Sequence, residues 1–348
     1  LGKNVFFYSN SIRGTDMVKT KREGENEMDI MEIKLVDLEP ERFIEQQVND
    51  ISSVVGDGMA INALSGGVDS SVVTMLGHKA LGQRLKSYFI DSGLMRQDEP
   101  QTIVSQFEKL GITVEIIDAK EQFFNSLKGL TDPEEKREAI TRTFYKEVFG
   151  RLVKESGAKY LLQGTNYTDV EETVAGVKRQ HNILVQLGID TEEVYGYKVI
   201  EPLIQLRKTG IRKTGKALGL QEEIYNRPPF PGPALAARVI GEVTPERVDT
   251  VRKATKIVEE ELCETGAFQY LAILHQDRVT GVREGKRDYG LQIEIRCWES
   301  EDAKVGSPTR LPYDVLDKLA DRMTREVPGV VSVTYNITSK PPSTIEVV

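Results

Sequence analysis

From residue 40 onward, short apolar runs rich in β-favouring residues alternate with stretches whose apolar positions recur every three or four residues. The runs at 59–64 (MAINAL), 85–90 (LKSYFI), 112–117 (ITVEII), 159–163 (KYLLQ) and 197–200 (YKVI) read as strands. Helical periods fill 41–55, 69–81, 99–110, 133–156 and 207–218, several closed by a glycine such as Gly111, Gly157 or Gly219. Strand and helix in strict alternation predict a doubly wound α/β domain built on a parallel sheet. Past the proline-rich RPPFPGPA at 227–234 the order changes: a long helix at 244–265, strands near 268–275 and 289–297, a helix at 312–326 and a strand at 330–336. That order predicts a second, smaller α/β domain.

The expected layout is a flexible N-terminal tail at 1–39, one domain at 40–228 and another at 229–348, in keeping with 348 residues. The tail carries a charge run, VKTKREGENE, without apolar period, and its NVFFYSNSI is too short and too polar for a secretory signal, so export is not expected. The apolar FFY leaves an arm docked on the body as the alternative.

Composition narrows the class. With 39% hydrophobic and 29% charged residues, and no apolar run near the ~20 residues of a membrane span, the chain reads as soluble and globular. A net charge of −8 sets it against nucleic acid bound by bulk electrostatics, while a local basic patch for small anions stays open. Cys263 and Cys297 are the only cysteines, so no disulfide framework, CxxC pair or zinc thiolate cluster is present. A cytoplasmic location is expected.

The stretch INALSGGVDSSVVTML at 61–76 carries the chemistry. A glycine turn leaving a strand and entering a helix is where an α/β fold binds phosphate. Gly66 and Gly67 let backbone approach a ligand closely, and Ser65, Ser70 and Ser71 add hydroxyls to the free N–H groups of the helix start. Asp69 beside a phosphate is repelled unless a cation stands between them, which points to a Mg²⁺ ligand. The turn is neither a Walker loop nor the GxGxxG of dinucleotide folds.

SGGVDS resembles the pyrophosphate loop of the ATP pyrophosphatases, a superfamily that includes GMP, NAD, asparagine and argininosuccinate synthetases and the tRNA thiolases. Within it, FIDSGLMR at 89–96, LLQGTNYTDVEET at 161–173, RPPFPGPALAARVIGEVT at 227–244, RLPYDVL at 310–316 and KPPSTIEV at 340–347 are similar to GMP synthetase, over about 40–348. The resemblance implies an adenine nucleotide alpha hydrolase-like fold and an ATP-dependent amination of XMP through an adenylyl intermediate. ATP and Mg²⁺ would be held by Ser65, Gly66, Gly67, Val68, Asp69, Ser70 and Ser71, with Asp91, Gly164, Asp169 and Glu172 contributing, and Lys208 as the lysine that stabilises leaving pyrophosphate. It also implies a homodimer through the second domain, and an acceptor site using Arg227, Arg296, Lys340, Thr344, Ile345 and Glu346. No Cys-His-Glu glutaminase domain precedes residue 40, so ammonia would come from a separate glutaminase subunit, or be used free.

The chain departs from the family's pattern on the acceptor side. VKRQHNILVQLG retains Lys178, His181 and Asn182 but has Gln180 for the first lid histidine and lacks a glycine pair, leaving His181 as the lid's catalytic candidate. Thr209 and Gly210 replace an Asp-Glu pair, Ala234 replaces a glycine, and KVGS stands at 304–307 in place of Met-Thr-Ala-Asp. These changes fit a diverged XMP aminase, a paralogue that adenylylates another nucleotide carbonyl, or a non-catalytic nucleotide-binding paralogue.

Overall fold

The computed structural model describes residues 17–20, 28–174, 197–283, 285–301 and 303–347. It falls into two compact units, one made of the residues up to Ile90 with Ile103–Ile116 and Phe149–Arg227, the other of Asp91–Thr102, Ile117–Val148 and Pro228–Val348.

In the first unit the expected strands form: β3 (Ala60–Ala63), β4 (Leu85–Asp91), β5 (Val114–Asp118), β6 (Tyr160–Leu162) and β7 (Lys198–Ile200), in a sheet of order β5-β4-β3-β6-β7. The ladders of β3 with β4, β3 with β6, and β6 with β7 are parallel. Because β3 comes first in the chain yet sits in the middle, the winding reverses on either side of it. Its carboxyl end is therefore the crevice where open α/β sheets take ligands. In chain order the helices up to residue 225 are α1 (Pro40–Val55), α2 (Val68–Leu81), α3 (Glu99–Lys109), α4 (Lys120–Leu127), α5 (Pro133–Arg142), α6 (Gly150–Ser156), α7 (Tyr167–Val174), α8 (Lys208–Ala217) and the short α9 (Glu222–Tyr225). Of these, α4 and α5 belong to the second unit. Helix α2 lies close on the sheet at Gly77, where a Cβ would stand 2.4 Å from Leu162 Cδ1. The predicted single helix at 133–156 is instead α5 and α6 joined by a π-helical stretch, Thr143–Phe149.

Ahead of this body, β1 (Met17–Thr20) pairs antiparallel with β2 (Met28–Met31). The Ile33 N–H donates to the Gln205 carbonyl at 2.9 Å, and Gln205 Nε2 donates to the Met31 carbonyl at 3.2 Å.

The second unit is built on α10 (Pro245–Leu262), started by Pro245 and by the Thr244 hydroxyl, which accepts the Arg247 N–H. A long antiparallel hairpin follows, β8 (Gln269–Arg283) with β9 (Lys286–Glu299), then β10 (Ser307–Pro308), α11 (Tyr313–Glu326) and β11 (Val330–Tyr335), which pairs parallel with β9. The sequence predicted strand only at 268–275 and 289–297. The ladder runs on through polar residues to Arg283 opposite Lys286, because the far half of the ribbon is largely exposed and needs no apolar face. Leu271, Ile273, Trp298 and Ile345 form a buried cluster that fixes the C-terminal segment on the sheet.

Candidate active site

Where β3 ends, the Leu64 N–H still donates a ladder-like bond to the Tyr88 carbonyl at 2.8 Å, and the chain then turns. Gly66 sits at φ +77, a left-handed conformation that glycine alone adopts without strain, and extended Gly67 is the cap of α2. No side chain caps this helix, whose first turn carries Asp69. The serines brace the turn: Ser70 Oγ donates to the Gly67 carbonyl at 3.0 Å and accepts the Ser65 N–H at 3.2 Å, and the buried Ser71 hydroxyl donates to the same carbonyl at 2.9 Å. Below them, buried Asn62 donates to Thr74 Oγ1 at 2.6 Å and accepts from Ser87 Oγ at 2.7 Å, locking β3, α2 and β4 together under the turn. Arg227 Nη1 donates to the Gly66 carbonyl at 3.1 Å, so this arginine reaches the turn's own backbone.

Asp69 is the focus. Its Oδ2 accepts from Lys208 Nζ, at the start of α8, and from Asn166 Nδ2 at 3.3 Å. Its Oδ1 is buried and has no hydrogen-bond partner among the described residues. Lys208 is 55% exposed against 18% for Asp69, so the amine sits on the open side of the pair. Gly164 packs on the same carboxylate's stem: a Cβ there would be 3.1 Å from Asp69 Cβ and 3.4 Å from the Ser70 nitrogen. Three predicted residues on three separate segments thus converge: Asp69, Lys208 and Gly164.

Asp169 is used locally. Its Oδ2 accepts the Asn166 N–H at 2.9 Å while Asn166 Oδ1 accepts the N–H groups of Thr168 at 2.9 Å and Asp169 at 3.2 Å. This is a reciprocal capping box at the start of α7, and N-Y-T-D in the sequence is its signal. Glu172 lies in α7, its side chain outside the described atoms. His181 and the rest of 175–196 lie outside the described residues. Sequence reasoning also missed Arg207, which grips Glu171 with two bonds of 2.7 and 2.6 Å and bonds Glu32 at 2.9 Å, tying α7 and the segment after β2 to the residue before Lys208. These carboxylates raise its already high pKa.

A single free carboxylate oxygen suits Mg²⁺, which is held by one or two carboxylates while phosphates and waters supply the rest. Among the described residues no cluster of three or more His, Cys, Asp or Glu stands ready to enclose a metal.

The remaining predicted residues lie in the second unit. Asp91 is buried; its Oδ1 accepts the Gly93 N–H at 2.9 Å and its Oδ2 pairs with Lys120 at 2.9 Å, a bond that raises the lysine's pKa. Arg296 is buried and donates to Glu294 at 2.5 Å and to the carbonyls of Thr344 at 2.7 Å and Ile345 at 3.3 Å. Glu294 also meets His275 Nε2 at 2.9 Å and Asn336 at 3.2 Å; burial opposes its ionisation, but Arg296 and these partners win and lower its pKa. Glu346 accepts from Arg238 at 3.1 Å and from Gln269 at 2.7 Å. Lys340 Nζ donates to the Ala303 carbonyl at 2.7 Å, and its backbone bonds Gly306 in both directions. The structure therefore gathers Arg296, Lys340, Thr344, Ile345 and Glu346 around one C-terminal segment.

The sheet order, with a glycine turn at the end of its middle strand, defines the class: an α/β fold of the adenine nucleotide alpha hydrolase type, carrying a separate mixed-sheet unit. The family pattern described as NAD synthase matches residues 39–237, and that described as GMP synthase C terminal domain matches 256–347. Among relatives, a protein of Archaeoglobus fulgidus named as one subunit of a glutamine-hydrolyzing GMP synthase is 48% identical over 310 residues, covering 89% of this chain and 99% of that protein. The proteins of the same name from Thermococcus kodakarensis (47% identical, 88% of this chain, 99% of theirs) and Methanothermobacter thermautotrophicus (43%, 89% and 99%) match to the same extent. The chain belongs to the family of these GMP synthase subunits.

Proposed function

We propose that this chain is a ligase that converts XMP to GMP at the expense of ATP, releasing AMP and pyrophosphate, with ammonia delivered by a separate glutaminase. The observation that carries the reading is Asp69: a carboxylate at a phosphate-binding turn, one oxygen held by Lys208 and Asn166, the other buried and without a hydrogen-bond partner among the described residues. The naming of the relatives as one subunit of a glutamine-hydrolyzing enzyme supports the division of labour with a glutaminase.

The chemistry follows from what a purine carbonyl needs. The C2 carbonyl of xanthine is a poor electrophile for ammonia until its oxygen becomes part of a leaving group. The O2 attacks the α-phosphorus of ATP and pyrophosphate departs; ammonia then adds at C2 and the C–O bond breaks to release AMP. Mg²⁺ held by Asp69 Oδ1 would neutralise the charge growing on pyrophosphate. The N–H groups at the start of α2 would face the same anion, and the exposed Ser65 hydroxyl, 3.1 Å from Ser70 Oγ, would turn its proton toward it. Lys208, exposed and on a flexible stem, can pass from Asp69 to the leaving phosphate as that charge develops. Gly164 lets the neighbouring loop lie against Asp69, and Arg227 stiffens the glycine turn. On the acceptor side, Lys340, Thr344 and the Ile345 and Glu346 backbone would receive the XMP phosphate, with Arg296 holding the segment from beneath. Dimerisation through 235–348 and a cytoplasmic location, in keeping with two free cysteines and no helix among the described residues long and apolar enough to cross a membrane, complete the reading.

The test is pyrophosphate release from ATP across a panel of nucleotides. Release with XMP and ammonium, GMP as product, and no glutamine hydrolysis by the chain alone are expected. Release with a different nucleotide and none with XMP would overturn the acceptor assignment.

A further inference from the structure

We infer that Asn166 is a positioning residue that holds Asp69 in the orientation required for Mg²⁺·ATP. The inference rests on the reading of Asp69 as the metal-holding carboxylate. Asn166 is an anomaly as a sequence position: a polar side chain, 2% exposed, in a loop between a buried strand and a short helix. A buried amide must satisfy both ends, and here the ends are assigned by their partners. Oδ1 is taken by the N–H groups of Thr168 and Asp169, which are donors only. The Nδ2 end must then point the other way, and it meets Asp69 Oδ2.

The backbone reinforces the aim. The Asn166 N–H is held by Asp169, and the Tyr167 N–H donates to the Leu206 carbonyl at 2.9 Å, two residues before Lys208. The cap of α7 and the backbone at the start of α8 are therefore stitched together, so the buried Asn166 amide is held against the carboxylate oxygen that Lys208 also meets. With Oδ2 engaged twice, rotation about the Asp69 Cβ–Cγ bond is stopped and Oδ1 is left for the ion. Partners that orient a metal-holding carboxylate typically carry about 10- to 100-fold in metal affinity.

Asn166→Ser separates this role from capping, since serine caps a helix about as well as asparagine but is too short to reach Asp69. Asn166→Ala removes both functions, and Asp69→Asn serves as control. Each is titrated calorimetrically with α,β-methylene-ATP, with and without Mg²⁺, and melted. For Asn166→Ser we expect affinity for the Mg²⁺-loaded analogue to fall about tenfold, Mg²⁺-free affinity to hold within about twofold, and the melting temperature to move by no more than a few degrees. Asn166→Ala should show the same Mg²⁺ loss with a lower melting temperature. If Asn166→Ser keeps Mg²⁺-dependent affinity while Asp69→Asn loses it, the role of Asn166 is overturned and that of Asp69 stands. If Asp69→Asn also keeps it, the underlying reading fails. Equal loss with and without Mg²⁺, together with early melting, would reduce Asn166 to a cap.

Discussion

The turn at 65–71 and the segment at 340–346 look alike as sequence, each a short run of small, hydroxyl and charged residues matching a nucleotide-binding family, yet the structure uses them in opposite ways. At the turn, Ser65, Ser70 and the facing Lys208 stay accessible, and among the described residues no side chain caps the helix start and Asp69 Oδ1 has no hydrogen-bond partner. Around the C-terminal segment the strongest groups are consumed internally: Arg296 by Glu294 and two carbonyls, Glu346 by Arg238 and Gln269. Resemblance alone does not separate a residue that meets a ligand from one that builds the wall. We propose that leftover bonding capacity at an open turn does.

The largest effect that would break this contrast is at Asp69. Asp69→Asn should cut pyrophosphate release about a thousandfold, equivalent to ~4 kcal/mol of transition-state stabilisation, with an unchanged circular dichroism spectrum and melting temperature. A variant that melts early and still turns over would mean the turn, too, is wall.

Arg238 is the converse in burial, although its Nη1, like Asp69 Oδ1, has no hydrogen-bond partner among the described residues. It is 1% exposed, paired with Glu346, and stacked 5.0 Å over Phe230. Removing one partner of a buried pair costs about 3 kcal/mol or more, because the other charge is stranded. Arg238→Ala should therefore lose about that much in urea unfolding while leaving binding of the Mg²⁺·ATP analogue intact. Normal stability with lost nucleotide binding would move Arg238 from scaffold to site.

Much of this is legible in the sequence. The strands at 60–63, 85–91, 160–162 and 198–200 lie within a residue or two of their sequence reading, since the buried central strands read as apolar runs and glycines end the helices between them. The glycine turn is legible because few other structures need two glycines before a helix. Helices α4 and α7 escape it, being eight residues each and so too short for periodicity to declare itself. The Arg207 clamp, and the division of the family-like charges into used and unused, depend on contacts between segments distant in sequence. Lys136 shows the point most sharply. In the sequence it is one lysine in a charged helix; in the structure it is 1% exposed and donates to the Val239 carbonyl at 3.0 Å.

Burial, with Arg247 adding repulsion, lowers the Lys136 pKa from 10.5 to about 8. The sign of the consequence is fixed by linkage. Below about pH 8 both folded and unfolded states hold the proton, and the folded state bears the cost of a buried ammonium. Between about 8 and 10.5 the folded state has released the proton and the unfolded state has not, so stability rises with pH. Wild type should gain on Lys136→Met in urea unfolding between about pH 8 and pH 10, against the general alkaline decline. Parallel curves would show that the lysine keeps its proton and that the second unit carries its buried charges without titration.

The smallest expected effect concerns Lys340, which stands between the two kinds of residue. Its backbone is bonded to Gly306 and its ammonium to the carbonyl of Ala303, a residue held at φ +63, so part of it is scaffold. Yet that one bond uses a single proton of three, and the side chain is only half-buried. An ammonium with protons to spare has the leftover capacity that marks the turn. Lys340→Met should therefore weaken XMP binding about tenfold, or ~1.4 kcal/mol, while unfolding free energy falls by less than about 1 kcal/mol and the affinity of the ATP analogue does not change. Arginine at this position keeps the charge but not the compact head, so it should restore part of the affinity. If instead Lys340→Met unfolds as readily as Arg238→Ala and still binds XMP, leftover protons are a poor marker of ligand contact here, and the acceptor's phosphate must be sought among other cations of the second unit.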